Sequence, residues 1–319
     1  MPLRHPKGSY LKARPNTKPD LQSLRTERAN DATKDLDRKS ALALARLINA
    51  QDATVAAAVS RALPEIARAI DLVAAALQSG GRLIYVGAGT SGRIGALDAS
   101  ECPPTFNTDP RAVQYIIAGG DKALASATEA SEDDEKLGRR EMARRKPGKH
   151  DVVIGIASSG RTPFTVAAVA EARRRGARTI ALTCNPNSPL ERAAHFAIVT
   201  QVGPEVLAGS SRMKAGTAQK MVLNMISTGA MTRLGYVYGN LMVNVHPTNE
   251  KLVERAIGIL ERASGADHES ARQVLEISGK RTPVALVMLA AGTTRAQAVA
   301  ALKKAKGNVR QAVTIAKSD

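Results

Sequence analysis

Two short segments combine glycine with small hydroxyl residues in a way that suits an anionic guest. The first is Gly87-Ala88-Gly89-Thr90-Ser91-Gly92-Arg93, and the second is Ala157-Ser158-Ser159-Gly160-Arg161-Thr162-Pro163. Each follows a short apolar run and opens a helical pattern. Backbone N–H groups therefore converge at a helix start, where the aligned peptide dipoles favour negative charge. A phosphate is the expected guest. The first segment also satisfies G-x-G-x-x-G, and Asp121 closes the next strand, which leaves a dinucleotide site as an alternative. Against it, Asp121 lies 29 residues beyond Gly92, where that fingerprint expects about 20. The second hydroxyl segment has no task in such a site, although Thr162-Pro163 also reads as an N-cap with proline at the first helical position.

Carboxylates supply the remaining chemistry. Glu101 lies in Leu97-Asp98-Ala99-Ser100-Glu101-Cys102-Pro103-Pro104, which reads as an apolar-flanked turn interrupting the helix. A carboxyl there is expected to be partly desolvated, with a raised pKa and the ability to donate a proton near neutral pH. Glu129, Glu132, Asp133, Asp134 and Glu135 form an acidic run that, from the residues alone, reads as a solvated helix start. The segment from Gly203 to Lys220 sets Glu205, Ser210, Ser211, Arg212 and Lys214 just before an apolar helix, a denser polar set than core packing requires. The five histidines fall in unrelated contexts, no G-x-S-x-G elbow is present, and Cys102 and Cys184 stand 82 positions apart. Neither a metal centre nor a catalytic triad nor a disulfide framework is expected.

Five apolar runs alternate with helical stretches and must carry these groups: Leu83–Val86, Val113–Ile117, Val152–Ile156, Thr179–Thr183 and Phe196–Val199. Continuous apolar strands separated by helices predict an α/β three-layer sandwich around a five-stranded parallel sheet. In such a sheet ligands bind beyond the carboxyl ends of the strands, where the two hydroxyl segments fall. A helical preface precedes the sheet, with Ser40 as a cap, Asp52 or Thr54 opening a second helix, and Pro64 in the first turn of a third that ends at Gly80-Gly81. Helices from Lys214 to Arg233 and from about Asn249 to Ala263 follow it. The expected division is a basic flexible arm over 1–35, a core domain over 36–265 and a small helical unit over 266–319. Leu275, Ala285 and Leu286 recur as Leu302, Ala312 and Val313 at an offset of 27, a weak repeat.

The 319 residues carry 46 Lys+Arg against 29 Asp+Glu, a formal charge of +17, which first suggests nucleic acid. The positive residues are dispersed, tryptophan is absent, and there are five Tyr and three Phe, so stacking platforms for nucleic acid are not expected. A basic surface that favours anionic small molecules fits better. No window approaches 18 uncharged apolar residues and the first residues lack an apolar signal core, so a cytoplasmic protein with no membrane partner is expected.

At these residues the chain resembles the N-acetylmuramic acid 6-phosphate etherases, which are built on the sugar isomerase (SIS) fold. The resemblance runs through Thr26-Glu27 and Asn30, Tyr85 to Arg93, Leu97 to Thr105, Ala118-Gly119-Gly120, Ser158 to Pro163, Gly203-Pro204-Glu205, Gly209 to Lys220, Gly239 to Val243 and Thr248 to Leu252. It implies a lyase that cleaves the D-lactyl ether of N-acetylmuramic acid 6-phosphate without a cofactor, giving N-acetylglucosamine 6-phosphate and D-lactate. The family's two catalytic glutamates fall on Glu101, as the acid at the departing oxygen, and Glu132, as the base at C2. Both are expected to face one crevice. Thr90, Ser91, Ser158, Ser159 and Thr162, with the N–H groups of Gly92 and Gly160, would hold the phosphate or sugar hydroxyls. Glu205, Ser210, Ser211 and Lys214 rank second. The resemblance further implies a homodimer with sites near the subunit boundary, the helix from Lys214 being a candidate interface. Related regulatory proteins share the fold without the chemistry, so a non-catalytic sugar-phosphate sensor is the alternative. The chain departs from the family pattern in its longer basic arm, in Ser131 beside Glu132, and at Asn244-Val245-His246-Pro247.

Overall fold

The computed structural model describes residues 24–126, 129–245, 247 and 249–318. Most of the basic arm, His246 and Thr248 thus lie outside the described residues. Two 3-10 turns, Asp31–Thr33 and Leu36–Arg38, lead into helices α1 (Ala41–Asp52), α2 (Val55–Ser60) and α3 (Leu63–Gln78). Ser40 caps α1 by accepting the N–H of Ala43, and Pro64 lies in the first turn of α3. Strand β1 (Leu83–Gly87), α4 (Gly89–Phe106), β2 (Val113–Ile117), α5 (Lys122–Ala125), α6 (Glu135–Arg144) and β3 (Val152–Ile156) follow. Next come α7 (Pro163–Arg174), β4 (Arg178–Thr183), α8 (Pro189–Ala193), β5 (Phe196–Val199) and α9 (Lys214–Arg233). Five helices close the chain: α10 (Glu250–Ser264), α11 (His268–Ile277), α12 (Thr282–Ala291), α13 (Arg295–Lys304) and α14 (Val309–Ser318).

The sheet is parallel throughout, in the order β2-β1-β3-β4-β5. Alternate residues of each strand serve opposite layers. Leu83, Tyr85, Ile154, Ile156, Ile180 and Leu182 pack with α2, α3, α4 and α9. Ile84, Val86, Val153 and Ala181 pack with Met142 of α6, Phe164 and Val169 of α7 and Leu190 of α8. Fully burying each large aliphatic side chain contributes about 1.5–3 kcal/mol, and truncating one such as Ile154 to alanine costs about 2–5 kcal/mol. A separate apolar core runs from Val243 through α10 to α14 and includes all six positions of the repeat. There the repeat corresponds to the helix pairs α11–α12 and α13–α14.

One feature differs from expectation. The Glu-Cys-Pro-Pro segment does not interrupt the first helix. It forms the last turns of α4, with Pro103 and Pro104 inside the helix and left-handed Asn107 as the C-cap, its N–H donating to the Pro103 carbonyl. Proline has the φ a helix needs, but each ring removes one N–H bond and crowds the carbonyl four residues before it, a cost offset here by the burial of Cys102 and Phe106 in the same turns. The register pairs Gly87 with Ile156, so the ends of β1 and β3 lie side by side. That adjacency brings the two hydroxyl segments together.

Candidate functional site

The turn from β1 into α4 is tight because three glycines make it so. A β-carbon on Gly87 would meet the Gly92 nitrogen at 2.9 Å and the Ile156 carbonyl oxygen at 3.0 Å, and one on Gly92 would meet Ile117 at 2.6 Å. Gly89 has a left-handed φ of +51°, and a β-carbon there would lie 2.9 Å from Glu132 Oε1. The carboxylate of Glu132 therefore rests on the first residue of α4, where the helix terminus stabilises negative charge. The segment bearing Glu132 is fastened on both sides. Upstream, Arg93 of α4 donates to the carbonyls of Ala123, Leu124 and Ser126 at 3.0, 3.2 and 2.9 Å. Downstream, the Glu132 carbonyl accepts from Phe164 N at 3.0 Å, and Asp134 caps α6.

The second segment turns at Gly160, whose φ is +66° and whose β-carbon would collide with Ser188. Ser159 Oγ accepts from Arg161 N at 3.1 Å. Thr162 is the N-cap of α7, yet its hydroxyl makes no cap hydrogen bond, so it is available to a guest. The two segments are joined through a residue that spacing alone did not single out. Gln219 of α9, fully buried, accepts from Ser91 Oγ at 3.1 Å and donates to Ser158 Oγ at 2.9 Å. A second unforeseen residue is Asn185, in the loop after β4, which donates to the Ser158 carbonyl at 2.9 Å. Both lie far in sequence from the loops they brace, and an isolated amide carries no local signal.

The other candidates divide. Gly216 of α9 approaches Thr90 and the Ser211 carbonyl, which places the Ser210-Ser211 turn beside the start of α4. Glu205, with no exposed surface, caps α9 by accepting Lys214 N at 2.8 Å and Ala215 N at 2.9 Å. Burial pushes its pKa up, opposed by those two N–H groups. Lys214 Nζ turns away to Gln51 Oε1 at 3.2 Å, and burial pushes its pKa down. The Glu205 carboxylate is thus engaged at the start of α9, and the Lys214 ammonium is engaged by Gln51 of α1. Asp121, the ribose candidate, accepts from the Tyr115 hydroxyl at 3.1 Å. The two thiols are buried and pushed up to about 12, mainly by desolvation, so neither supplies thiolate.

Glu101 does not join Glu132 within one chain. It follows Gly89 by twelve positions of α4, a rise of about 18 Å at 1.5 Å per residue. Its side chain is exposed, so the shielding expected of an apolar turn is absent there. The helix that replaces the turn carries Glu101 outward, while Asp98 on the inner side is buried against Tyr85, Asn224 and Ser227. A cavity of about 940 Å³ lies at the opposite, amino ends of the strands among Arg82, Asn107, Arg233 and Lys306. Helix C-termini converge there, and basic side chains balance their dipoles.

The chain is 48% identical over 295 residues to N-acetylmuramic acid 6-phosphate etherase 1 of Bacillus licheniformis, covering 92% of this chain and 97% of that protein. The chain belongs to the N-acetylmuramic acid 6-phosphate etherase family. The etherase of Symbiobacterium thermophilum is 54% identical over 274 residues, covering 86% of this chain and 91% of that one. Residues 65–173 match the glucokinase regulatory protein N-terminal SIS domain, and residues 140–228 match the SIS domain. Among solved structures, a phosphoheptose isomerase from Francisella tularensis is 20% identical with a TM-score of 0.45, covering 61% of this chain and 100% of that one. Among the described residues of this etherase-family chain, no single helix is long and apolar enough to cross a membrane.

Proposed function

We propose that the protein is a carbon–oxygen lyase acting on N-acetylmuramic acid 6-phosphate, releasing D-lactate and leaving N-acetylglucosamine 6-phosphate. The observation that carries this reading is the carboxylate of Glu132 on the first residue of α4, beside a hydroxyl loop joined through Gln219 to a second. Ser158, Ser159, Thr162 and the N–H groups opening α4 and α7 hold the phosphate. Thr90, Ser210 and Ser211 face the sugar. In the open-chain sugar the C1 aldehyde acidifies the C2 hydrogen. Glu132, whose carboxylate rests on the first residue of α4, removes that proton. The electron pair forms the C2–C3 double bond as the C3–O bond breaks, and an acid protonates the departing lactyl oxygen. Water then adds at C3 and a proton returns to C2, which balances the overall hydrolysis.

The acid is assigned to Glu101, and the separation along α4 requires it to come from a second copy of the chain. An apolar groove of about 610 Å³ between α3 and α9, with Leu63, Ile66, Ile70, Met221 and Met225 in its lining, supports such a homodimer. It starts one position after Gln219 and includes Asn224, which donates to Asp98 Oδ1 at 2.6 Å on the helix that bears Glu101. Leu97, 51% exposed, presents a further apolar side chain one turn before Glu101. Incubation with N-acetylmuramic acid 6-phosphate should release D-lactate stoichiometrically, and Glu132→Gln should abolish release. Tight binding of the substrate with no lactate formed would reject the lyase reading.

A further inference from the structure

A carboxylate outside the expected pair also borders the crevice. The segment from Leu24 to Thr33 crosses the ends of the strands and is pinned at several points. Arg25 N donates to Asn185 Oδ1 at 3.0 Å, and Asn185 Nδ2 donates both to Thr26 Oγ1 at 3.1 Å and to the Ser158 carbonyl at 2.9 Å. Thr33 Oγ1 donates to the Val206 carbonyl at 2.8 Å. Thr26 and Asn185 are buried, at 1% and 3% exposure. The strap is thus braced by the same amide that braces the second hydroxyl loop.

Glu27 follows Thr26 directly. Its Oε2 lies 3.1 Å from the place of a β-carbon on Gly209, whose φ is +78°. Gly209 leads into Ser210-Ser211, and the Ser211 carbonyl shares the neighbourhood of Gly216 with Thr90. The strap, the turn at 209–211 and the start of α4 therefore ring one opening. Glu27 is partly buried, and among the described residues its carboxylate accepts no hydrogen bond and forms no ion pair. A structural carboxylate in a chain of charge +17 would be expected to have such a partner.

Resting on the function proposed above, we infer that Glu27 is a specificity-determining residue that accepts a hydrogen bond from an N–H or O–H of the bound aminosugar. An ionised carboxylate has acceptors only. It repels the phosphate and the lactyl carboxylate, so the groups it selects are the sugar hydroxyls and the acetamide N–H. It therefore orients the sugar, with the phosphate directed to the two hydroxyl loops.

The test uses the full chain and compares wild type, Glu27→Gln and Glu27→Ala by calorimetry with N-acetylglucosamine 6-phosphate and with inorganic phosphate. Loss of a hydrogen bond to a charged acceptor should weaken sugar-phosphate binding about tenfold to a hundredfold. Inorganic phosphate binding and the unfolding midpoint should not move. KM for the lactyl substrate should rise more than kcat falls. Unchanged sugar-phosphate affinity in both variants overturns the inference. So does an equal loss for both ligands, which would mean that the strap merely supports the loop. A wild type that binds the sugar phosphate but releases no D-lactate rejects the lyase reading alone, because the role of Glu27 is read from binding.

Discussion

Glu132 Oε1 lies 2.9 Å from the position a β-carbon would occupy on Gly89. Glycine serves two purposes there: it permits the left-handed φ and leaves room for the carboxylate. Gly89→Ala should cost about 1–2 kcal/mol in stability for the left-handed backbone. It should also displace Glu132 and lower kcat about a hundredfold, since a shift of 1 Å at a reacting group has that order of effect. Lactate release measured alongside thermal unfolding checks both effects, and near-normal kcat would remove Glu132 from the reaction.

Gln219 couples the hydroxyl loops, so replacing it should be felt at the phosphate. Gln219→Leu leaves the Ser91 and Ser158 hydroxyls without their shared partner, at a cost of about 1–3 kcal/mol. Gln219→Glu cannot donate to Ser158 and adds negative charge near the anion. Both variants should raise KM for the phosphorylated sugar, the glutamate more than the leucine. If the order is reversed, the bridge does not set the polarity of the loop.

Sharing of sites between copies has a direct signature. Glu101→Ala and Glu132→Ala should each be inactive alone, and mixed, reassorted protein should recover about a quarter of wild-type activity. Half of the random dimers are then heterodimers, each with one intact site. A mixture that remains inactive would place both glutamates' work within one chain, and activity of Glu101→Ala alone would dispense with Glu101.

The buried Asp98 carboxylate accepts from Tyr85 Oη at 2.8 Å, Asn224 Nδ2 at 2.6 Å and Ser227 Oγ at 3.0 Å. It ties β1, α4 and α9 together. Asp98→Ala strands three donors and should lower the stability to urea by about 3 kcal/mol or more. A change under about 0.5 kcal/mol would show that the network contributes nothing.

Asp151 gives the fold a defined response to acid. Burial alone would raise its pKa, but hydrogen bonds from Arg82 and from Gly148 N, with the nearby guanidinium charge, outweigh that and hold it below the usual carboxylate range. A lowered native pKa means that the unfolded chain binds the proton more readily. The stabilisation is therefore present above the ordinary carboxylate pKa of about 3.9 and disappears as pH falls through the native value. Asp151→Asn should lower the melting temperature at pH 6, and the gap from wild type should close toward pH 3. A gap independent of pH would refute the assignment.

Much of this protein was legible from local chemistry. The five strands are apolar runs, the three central ones buried on both faces, Ser40 and Asn249 cap the helices that follow them, and the 214–233 helix carries apolar residues along its length. The two anion-ready loops announced themselves because glycine, hydroxyl and helix start are neighbours in the chain. The same locality misled at Glu101, where a double proline suggested a turn. The φ of proline suits a helix, and the packing of Cys102 and Phe106 against the core outweighs the lost N–H bonds, so α4 continued and carried the carboxylate outward. Only the tertiary structure placed Glu132 on Gly89, engaged Glu205 at the start of α9 and Lys214 with Gln51, and revealed Gln219, Asn185 and Glu27 around the crevice. A side chain's neighbours at long sequence separation follow from sheet order and packing, and those are set by the whole core rather than by any one segment.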